Sequence, residues 1–251
     1  MHVTTLERPR RNPMSQKLPH GIYELSQYKE RKSVFRDRQH AGGVLAGMLR
    51  PFQKDVHRVL GIPAGGLPVG AVVAESLLIP FDVAVVSKIT LPWNTEAGYG
   101  AVAFDGTVQL NQALVAQLGL SATDIREGIE STTAKVRRRV EGLRKENPFP
   151  TLLGQTIILV DDGIASGFTM LVAVEALKKA GAEYILVAVP TAHKESLNNI
   201  LSKVDAIVCP NIRSGWRYAV ADAYERWSDV DEFEVLKILE RLWKTRPPKR
   251  D

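Results

Sequence analysis

Residues 156–170 read Thr-Ile-Ile-Leu-Val-Asp-Asp-Gly-Ile-Ala-Ser-Gly-Phe-Thr-Met. The apolar run at its head predicts a parallel strand covered on both faces, because no polar residue alternates with the apolar ones. The strand ends in two adjacent carboxylates, Asp161 and Asp162. Small residues follow (Gly163, Ala165, Ser166, Gly167), and after Thr169 the apolar spacing turns helical. A strand, a tight loop of free backbone N–H groups and a helix N-terminus together form an anion site. Two carboxylates at the mouth of such a site would repel a bare phosphate. They make sense when they hold something beside it, either sugar hydroxyls or a metal ion. A ribose 5-phosphate fits that combination.

Working outward, strands and helices alternate. A helix is expected over 37–49, a short strand over 57–62, then Pro63-Ala64-Gly65-Gly66 and a helix over 69–77. A strand over 82–87 ends at Lys88. Residues 101–104 and 107–110 flank Asp105-Gly106, the signal of a hairpin with a type I′ turn, which needs positive φ at both central positions. Ser121 with Asp124 reads as a capping box opening a long helix, which stops before Asn147-Pro148-Phe149-Pro150. Beyond the strand at 155–161 come a helix over 168–180 closed by Gly181, a buried strand over 184–189, a helix over 193–201, a strand over 205–209 and an amphipathic helix over 232–243. This order predicts an α/β fold, a doubly wound and mostly parallel sheet with its ligand at the carboxyl ends of the strands.

The composition excludes several classes. With 251 residues, 45% of them hydrophobic and 24% charged, one α/β domain with a sizeable core is the natural reading. A single cysteine, Cys209, excludes an internal disulfide framework and suits a reducing, cytoplasmic compartment. No apolar run reaches membrane-spanning length, and the basic N-terminus lacks the apolar centre of a secretory signal. The net charge is +5. Residues 1–32 hold seven Lys/Arg against three Asp/Glu, and residues 244–251 hold four against one. The body at 33–243 has 22 basic and 24 acidic residues. Basicity therefore lies in the tails, read as a flexible extension (1–32) and a short tail (244–251). No dedicated nucleic-acid surface or membrane partner is expected.

The 158–170 segment resembles the phosphoribosylpyrophosphate (PRPP) signature of type I phosphoribosyltransferases. Phe35-Arg36-Asp37-Arg38 with Ala41-Gly42, the loop at 61–66, Lys88, residues 96–103 and the tail at 219–227 resemble one uncharacterised bacterial and archaeal branch of that family. The resemblance covers about residues 34–240 and makes 33–243 the expected phosphoribosyltransferase domain. It implies an enzyme that binds Mg2+ and PRPP and transfers the 5-phosphoribosyl group to an acceptor, expected to be nucleobase-like, with release of pyrophosphate. By resemblance, Asp161 and Asp162 contact the ribose hydroxyls and lie near Mg2+. Gly163, Ile164, Ala165, Ser166, Gly167, Phe168 and Thr169 cradle the 5′-phosphate, with Ser166 where the family usually has Thr. Pro63, Ala64, Gly65, Gly66 and Lys88 hold pyrophosphate, with Ala64 where the branch commonly has Arg. A hairpin at 91–101, with Pro92, Trp93, Glu96 and Tyr99, would be the flap over PRPP. Trp216, Tyr218, Tyr224, Glu225 and Trp227 form an aromatic–acidic tail that could supply the small hood over the acceptor, or simply pack.

Two rivals share these residues. A non-catalytic PRPP or nucleotide sensor is favoured by Ala64, which removes a phosphate donor. A phosphoacceptor receiver domain also places an acidic pair at a strand end, but on its first strand and without a following phosphate loop. Oligomeric state stays open, with a homodimer among the arrangements that the resemblance allows.

Overall fold

In the computed structural model, the described residues are the backbone of 3–5, then 19–91 and 93–244; the side chains of 95–97 are not among them. The expectations for the remaining basic tails, for Pro92 and for the Glu96 side chain lie outside the described residues.

A seven-stranded sheet forms the centre. Its strands are β1 (Val3–Thr5), β2 (Gly21–Glu24), β3 (Arg58–Gly61), β4 (Phe81–Val83) and three more that come later in the chain. After β4 the chain leaves the sheet as a three-stranded antiparallel ribbon, β5 (Val86–Leu91), β6 (Asn94–Ala103) and β7 (Val108–Leu110). It returns through β8 (Thr156–Val160) and β9 (Tyr184–Ala188), forms the short β10 (Thr191–His193), and adds β11 (Ala206–Val208) before β12 (Asn211–Arg213). The order across the main sheet is β1-β2-β11-β9-β8-β3-β4, and every pairing in it is parallel. Strands β10 and β12 pair parallel as a separate small sheet.

Helices cover both faces, as parallel pairing requires. Ile158 and Val160 of β8 enter one core with α1 (Arg38–Leu49), α2 (Gly66–Leu77), α4 (Ala122–Arg144) and α7 (Glu232–Lys244). Ile157 and Leu159 enter the other, with α5 (Phe168–Lys179) and α6 (Lys194–Leu201). The short α3 (Gln112–Leu118) precedes α4. The capping box read at Ser121 is present: its hydroxyl accepts from Asp124 N–H at 3.1 Å, and the Asp124 carboxylate accepts from Ser121 N–H at 3.0 Å.

Helices α1 and α2 pack closely because Gly42 has no side chain. A Cβ there would lie 2.8 Å from both Val69 O and Val72 Cβ. Gly42→Ala is therefore expected to destabilise the protein by roughly 1–3 kcal/mol, read as a lower urea midpoint at unchanged m-value. An unchanged midpoint would show that the two helices can separate freely.

Four expectations need correction. The extension drawn through residue 32 contains β2, an inner strand between β1 and β11, so the folded body reaches upstream of residue 33. The strand expected at 82–87 is two, because the chain leaves the main sheet at Ala84-Val85; Lys88 therefore sits within the ribbon, not at a sheet-strand end. The Asp105-Gly106 turn is not type I′, since only Gly106 has positive φ (87°). Asp105 instead accepts from Thr107 N–H at 2.9 Å and from its hydroxyl at 2.8 Å, while Gly106 N–H donates to Ala103 O. That is a type I turn followed by a left-handed glycine. Finally, the base of the expected flap is packed: Tyr99 is fully buried and donates to Asp124 O.

Candidate active site

Strands β3 and β8 lie side by side, with Gly61 opposite Val160. From β3 the chain crosses through α2 to β4 on one side; from β8 it crosses through α5 to β9 on the other. Such a reversal opens a crevice beyond the carboxyl ends of the two strands. Both loops singled out in the sequence emerge into it. Ile62 N–H donates to Val160 O at 2.8 Å, which lays residues 63–66 against the acidic pair.

Glycines make this approach workable. A Cβ on Gly65 would lie 1.8 Å from Asp162 Oδ2. On Gly66 it would lie 2.7 Å from Val160 O and 2.9 Å from Asp161 Cα. The Pro63–Ala64 peptide is cis. Gly66 N–H bonds Ile62 O and Leu67 N–H bonds Ala64 O, and Pro68 has no N–H, so the first turn of α2 is satisfied within the loop itself.

The two carboxylates differ. Asp161 Oδ1 accepts from Asp162 N–H at 2.8 Å. Burial pushes the Asp161 carboxyl well above the usual carboxylate range, and the charge of Asp162 adds to this; Arg38 and Lys88 pull it back. Burial also raises Asp162, against the opposing pull of Arg38. Arg38 Nε donates to Asp162 Oδ2 at 2.9 Å, and its Nη1 donates to Ser228 O at 2.7 Å. The guanidinium stacks 3.9 Å from the centroid of Trp227. Tyr224 donates its hydroxyl to the Asp162 carbonyl at 2.6 Å, and burial holds that phenol protonated.

Sequence reasoning assigned no site role to Arg38, although it quoted the segment that carries it. Within that segment Phe35 is fully buried against Tyr224, and Asp37 caps α1 by accepting from His40 N–H at 2.9 Å. Arg38 then points across to β8. The C-terminal tail both packs and borders the site: Val220 closes over Gly163, where a Cβ would lie 2.4 Å from its Cγ1. Tyr218 donates to Thr191 Oγ1 at 3.2 Å, whereas Trp216 stands in solvent.

The loop at 163–169 divides in two. Ile164 is buried; its N–H donates to Thr191 O and its carbonyl accepts from His193 N–H. It anchors the loop, so its N–H is not available to a phosphate. Ser196 of α6 donates to Ala165 O. Gly167 takes φ of 82°, a left-handed turn suited to glycine, and leads into α5 without a side-chain cap. Leu171 makes the first helical bond, to Gly167 O, which leaves the preceding N–H groups of α5 open beside exposed Ala165 and Ser166. Thr169 is half-buried in the first turn, and exposed Lys88 faces the acidic pair from the ribbon. Gly65 and Gly66 therefore meet Asp162 and Asp161 directly, with Pro63 and Ala64 just before them in the loop and the 165–169 arc following the pair in the chain.

Among the described residues no third His, Cys, Asp or Glu joins Asp161 and Asp162 in a metal-binding group. Two carboxylates, one of them already paired with Arg38, suit a Mg2+ that keeps waters and ligand oxygens; they do not build a protein cage.

A model of the phosphoribosyl transferase domain matches residues 104–223. Two Mycobacterium tuberculosis proteins, from strains CDC 1551 and H37Rv, each provisionally named a phosphoribosyl transferase, are 32% identical over 208 residues, 83% of this chain. The chain spans about half of those relatives, 47% of their length. Among solved structures, TT1426 from Thermus thermophilus superposes with a TM-score of 0.69 at 30% identity, covering 83% of this chain and 98% of that one. No helix among the described residues is long and apolar enough to cross a membrane.

Proposed function

The chain belongs to the phosphoribosyl transferase family, and on that footing we propose that it binds Mg-PRPP and transfers the 5-phosphoribosyl group to a small-molecule, nucleobase-like acceptor with loss of pyrophosphate. The observation that carries this reading is the contact between the 63–66 loop and the Asp161/Asp162 pair at the β3/β8 switch point. It brings the 63–66 loop against two hydroxyl acceptors that lead into the open N-terminus of α5, an order suited to a ribose that bears a phosphate at each end.

In the reaction, the bond from the anomeric carbon to the pyrophosphate oxygen breaks and the electron pair leaves with pyrophosphate. The acceptor forms the new bond to that carbon and loses a proton. Asp161 and Asp162 accept the ribose 2′ and 3′ hydroxyls and face the positive charge that develops on the sugar. The 165–169 arc orients the 5′-phosphate, and the 63–66 loop with Lys88 holds the leaving end. Asp161 and Asp162 would stand beside a Mg2+ brought in with the ligand, which would supply neutralisation of the charge on pyrophosphate. Reaction by positioning and electrostatics needs no covalent nucleophile. The tail around Tyr224 and Trp227 borders the side from which the acceptor would enter. The single-cysteine chain is assigned to a reducing, cytoplasmic setting.

The second reading, a PRPP or nucleotide sensor that does not turn over, is favoured by Ala64, which contributes no side-chain donor to the loop. Incubating the protein with Mg-PRPP and a panel of purines, pyrimidines and amines separates the two. Pyrophosphate released with one acceptor class is expected; tight PRPP binding without release from any acceptor would favour the sensor.

A further inference from the structure

Arg38 is held in place more firmly than a surface arginine needs to be. Its side chain is only 11% exposed. Nε is bonded to Asp162, Nη1 to a backbone carbonyl, and the plane lies against Trp227. Among the described residues Nη2 donates to nothing. The same Asp162 oxygen that receives Nε lies 1.8 Å from the position of a Gly65 Cβ, which sets the guanidinium beside the 63–66 loop. Helix α1 delivers it there, locked to α2 through the close contact at Gly42. The electrostatics have the same sense. Two adjacent carboxylates would repel an incoming diphosphate, and Lys88, the other cation acting on Asp161, is exposed on a flexible stem.

We propose that Arg38, clamped by Asp162, Ser228 and Trp227, is the fixed cation of the pyrophosphate end of the site, using Nη2 to hold the leaving group while Nε keeps Asp162 in place for the sugar. This rests on the function proposed above. A planar guanidinium offers donors in two directions at once, which a lysine ammonium or a backbone N–H cannot do in that geometry. The inference also ties the tail to the chemistry. Trp227 and Ser228 hold the orientation of Arg38, so the residues nearest the acceptor side also set the leaving-group side.

The test uses two separate probes, Mg-pyrophosphate and ribose 5-phosphate, titrated calorimetrically into wild type, Arg38→Gln and Arg38→Lys, with circular dichroism to confirm folding. Arg38→Gln, whose amide nitrogen stands where Nε does and can still donate to Asp162, is expected to weaken Mg-pyrophosphate at least tenfold while changing ribose 5-phosphate by less than threefold. Arg38→Lys, which keeps the charge without the fork, is expected to recover part of the loss. Equal losses on both probes would overturn the inference and leave Arg38 as a structural tie to the tail. So would an unchanged pyrophosphate affinity, or a lysine variant no better than glutamine. Wild type that binds ribose 5-phosphate but not Mg-pyrophosphate overturns this inference alone. Binding of neither probe overturns the proposed function with it.

Discussion

Gly65→Ala is expected to weaken Mg-PRPP binding by at least tenfold while leaving the fold nearly as stable as wild type. Gly65 has φ −61° and ψ −30°, an ordinary right-handed conformation, so alanine adds no backbone strain. Its new methyl group would instead fall 1.8 Å from Asp162 Oδ2 and 2.4 Å from Cγ. The obstacle is the end of a rotatable side chain, so the carboxylate swings away and the backbone stays. What is lost is the placement of Asp162 for the sugar and its pair with Arg38. A hydrogen bond to a charged group is worth about 1.5–3 kcal/mol, which is roughly ten- to hundredfold in affinity. Gly66→Ala is the control. There the methyl group meets the backbone at Val160 O and Asp161 Cα, so both thermal stability and binding are expected to fall. A Gly65→Ala protein that binds as wild type does would mean that Asp162 has no part in the site.

Asp161→Asn is expected to move stability and function in opposite directions. Burial raises the folded carboxyl above its unfolded value, with the neighbouring charge of Asp162 adding to it. The sign follows directly. Between the unfolded and the raised folded pKa, the folded state holds a proton that the unfolded state has released. Stability from this group is therefore fullest below the unfolded value and declines as pH rises through the folded one. Above the unfolded value the wild type bears a rising cost, either of holding a proton or of ionising a desolvated carboxylate beside another. Asparagine removes that cost, and its amide oxygen can still accept from Asp162 N–H. Melting curves from pH 4 to 8 should show the variant gaining on wild type as pH rises. Mg-PRPP binding should fall at least tenfold, because a neutral amide is a weaker acceptor for the ribose hydroxyls. A variant less stable than wild type at pH 8 would show that Asp161 is satisfied as an ion. Strain of this kind, kept at one position, is common where a site needs a charge that folding alone would avoid.

Much of this site was legible before any coordinates. Strand β8 could be read because Thr156 and four apolar residues, with no polar alternation, leave only a strand covered on both faces. Gly65 and Gly66 stand where the loop passes against Asp162 and Asp161, and Gly167 takes the left-handed turn into α5. What escaped reading depended on distance along the chain. Arg38 meets Asp162 across 124 residues, and no local pattern marks a partner that far away. Strand β2 has only four residues, set among prolines and charges, and owes its existence to β11 and β1 on either side. The break between β4 and β5 was hidden because 81–86 are buried throughout, whichever sheet each residue joins. Ile164 read as part of a phosphate cradle because nothing local shows that Thr191 already takes its N–H.

The most direct test is calorimetric titration of PRPP with Mg2+ into wild type and into the Asp161→Asn/Asp162→Asn double variant. One-site binding to wild type, lost in a double variant that still melts cooperatively, is the expected result. Absence of binding to the wild type, or equal binding to both proteins, would contradict the assignment of this crevice to PRPP.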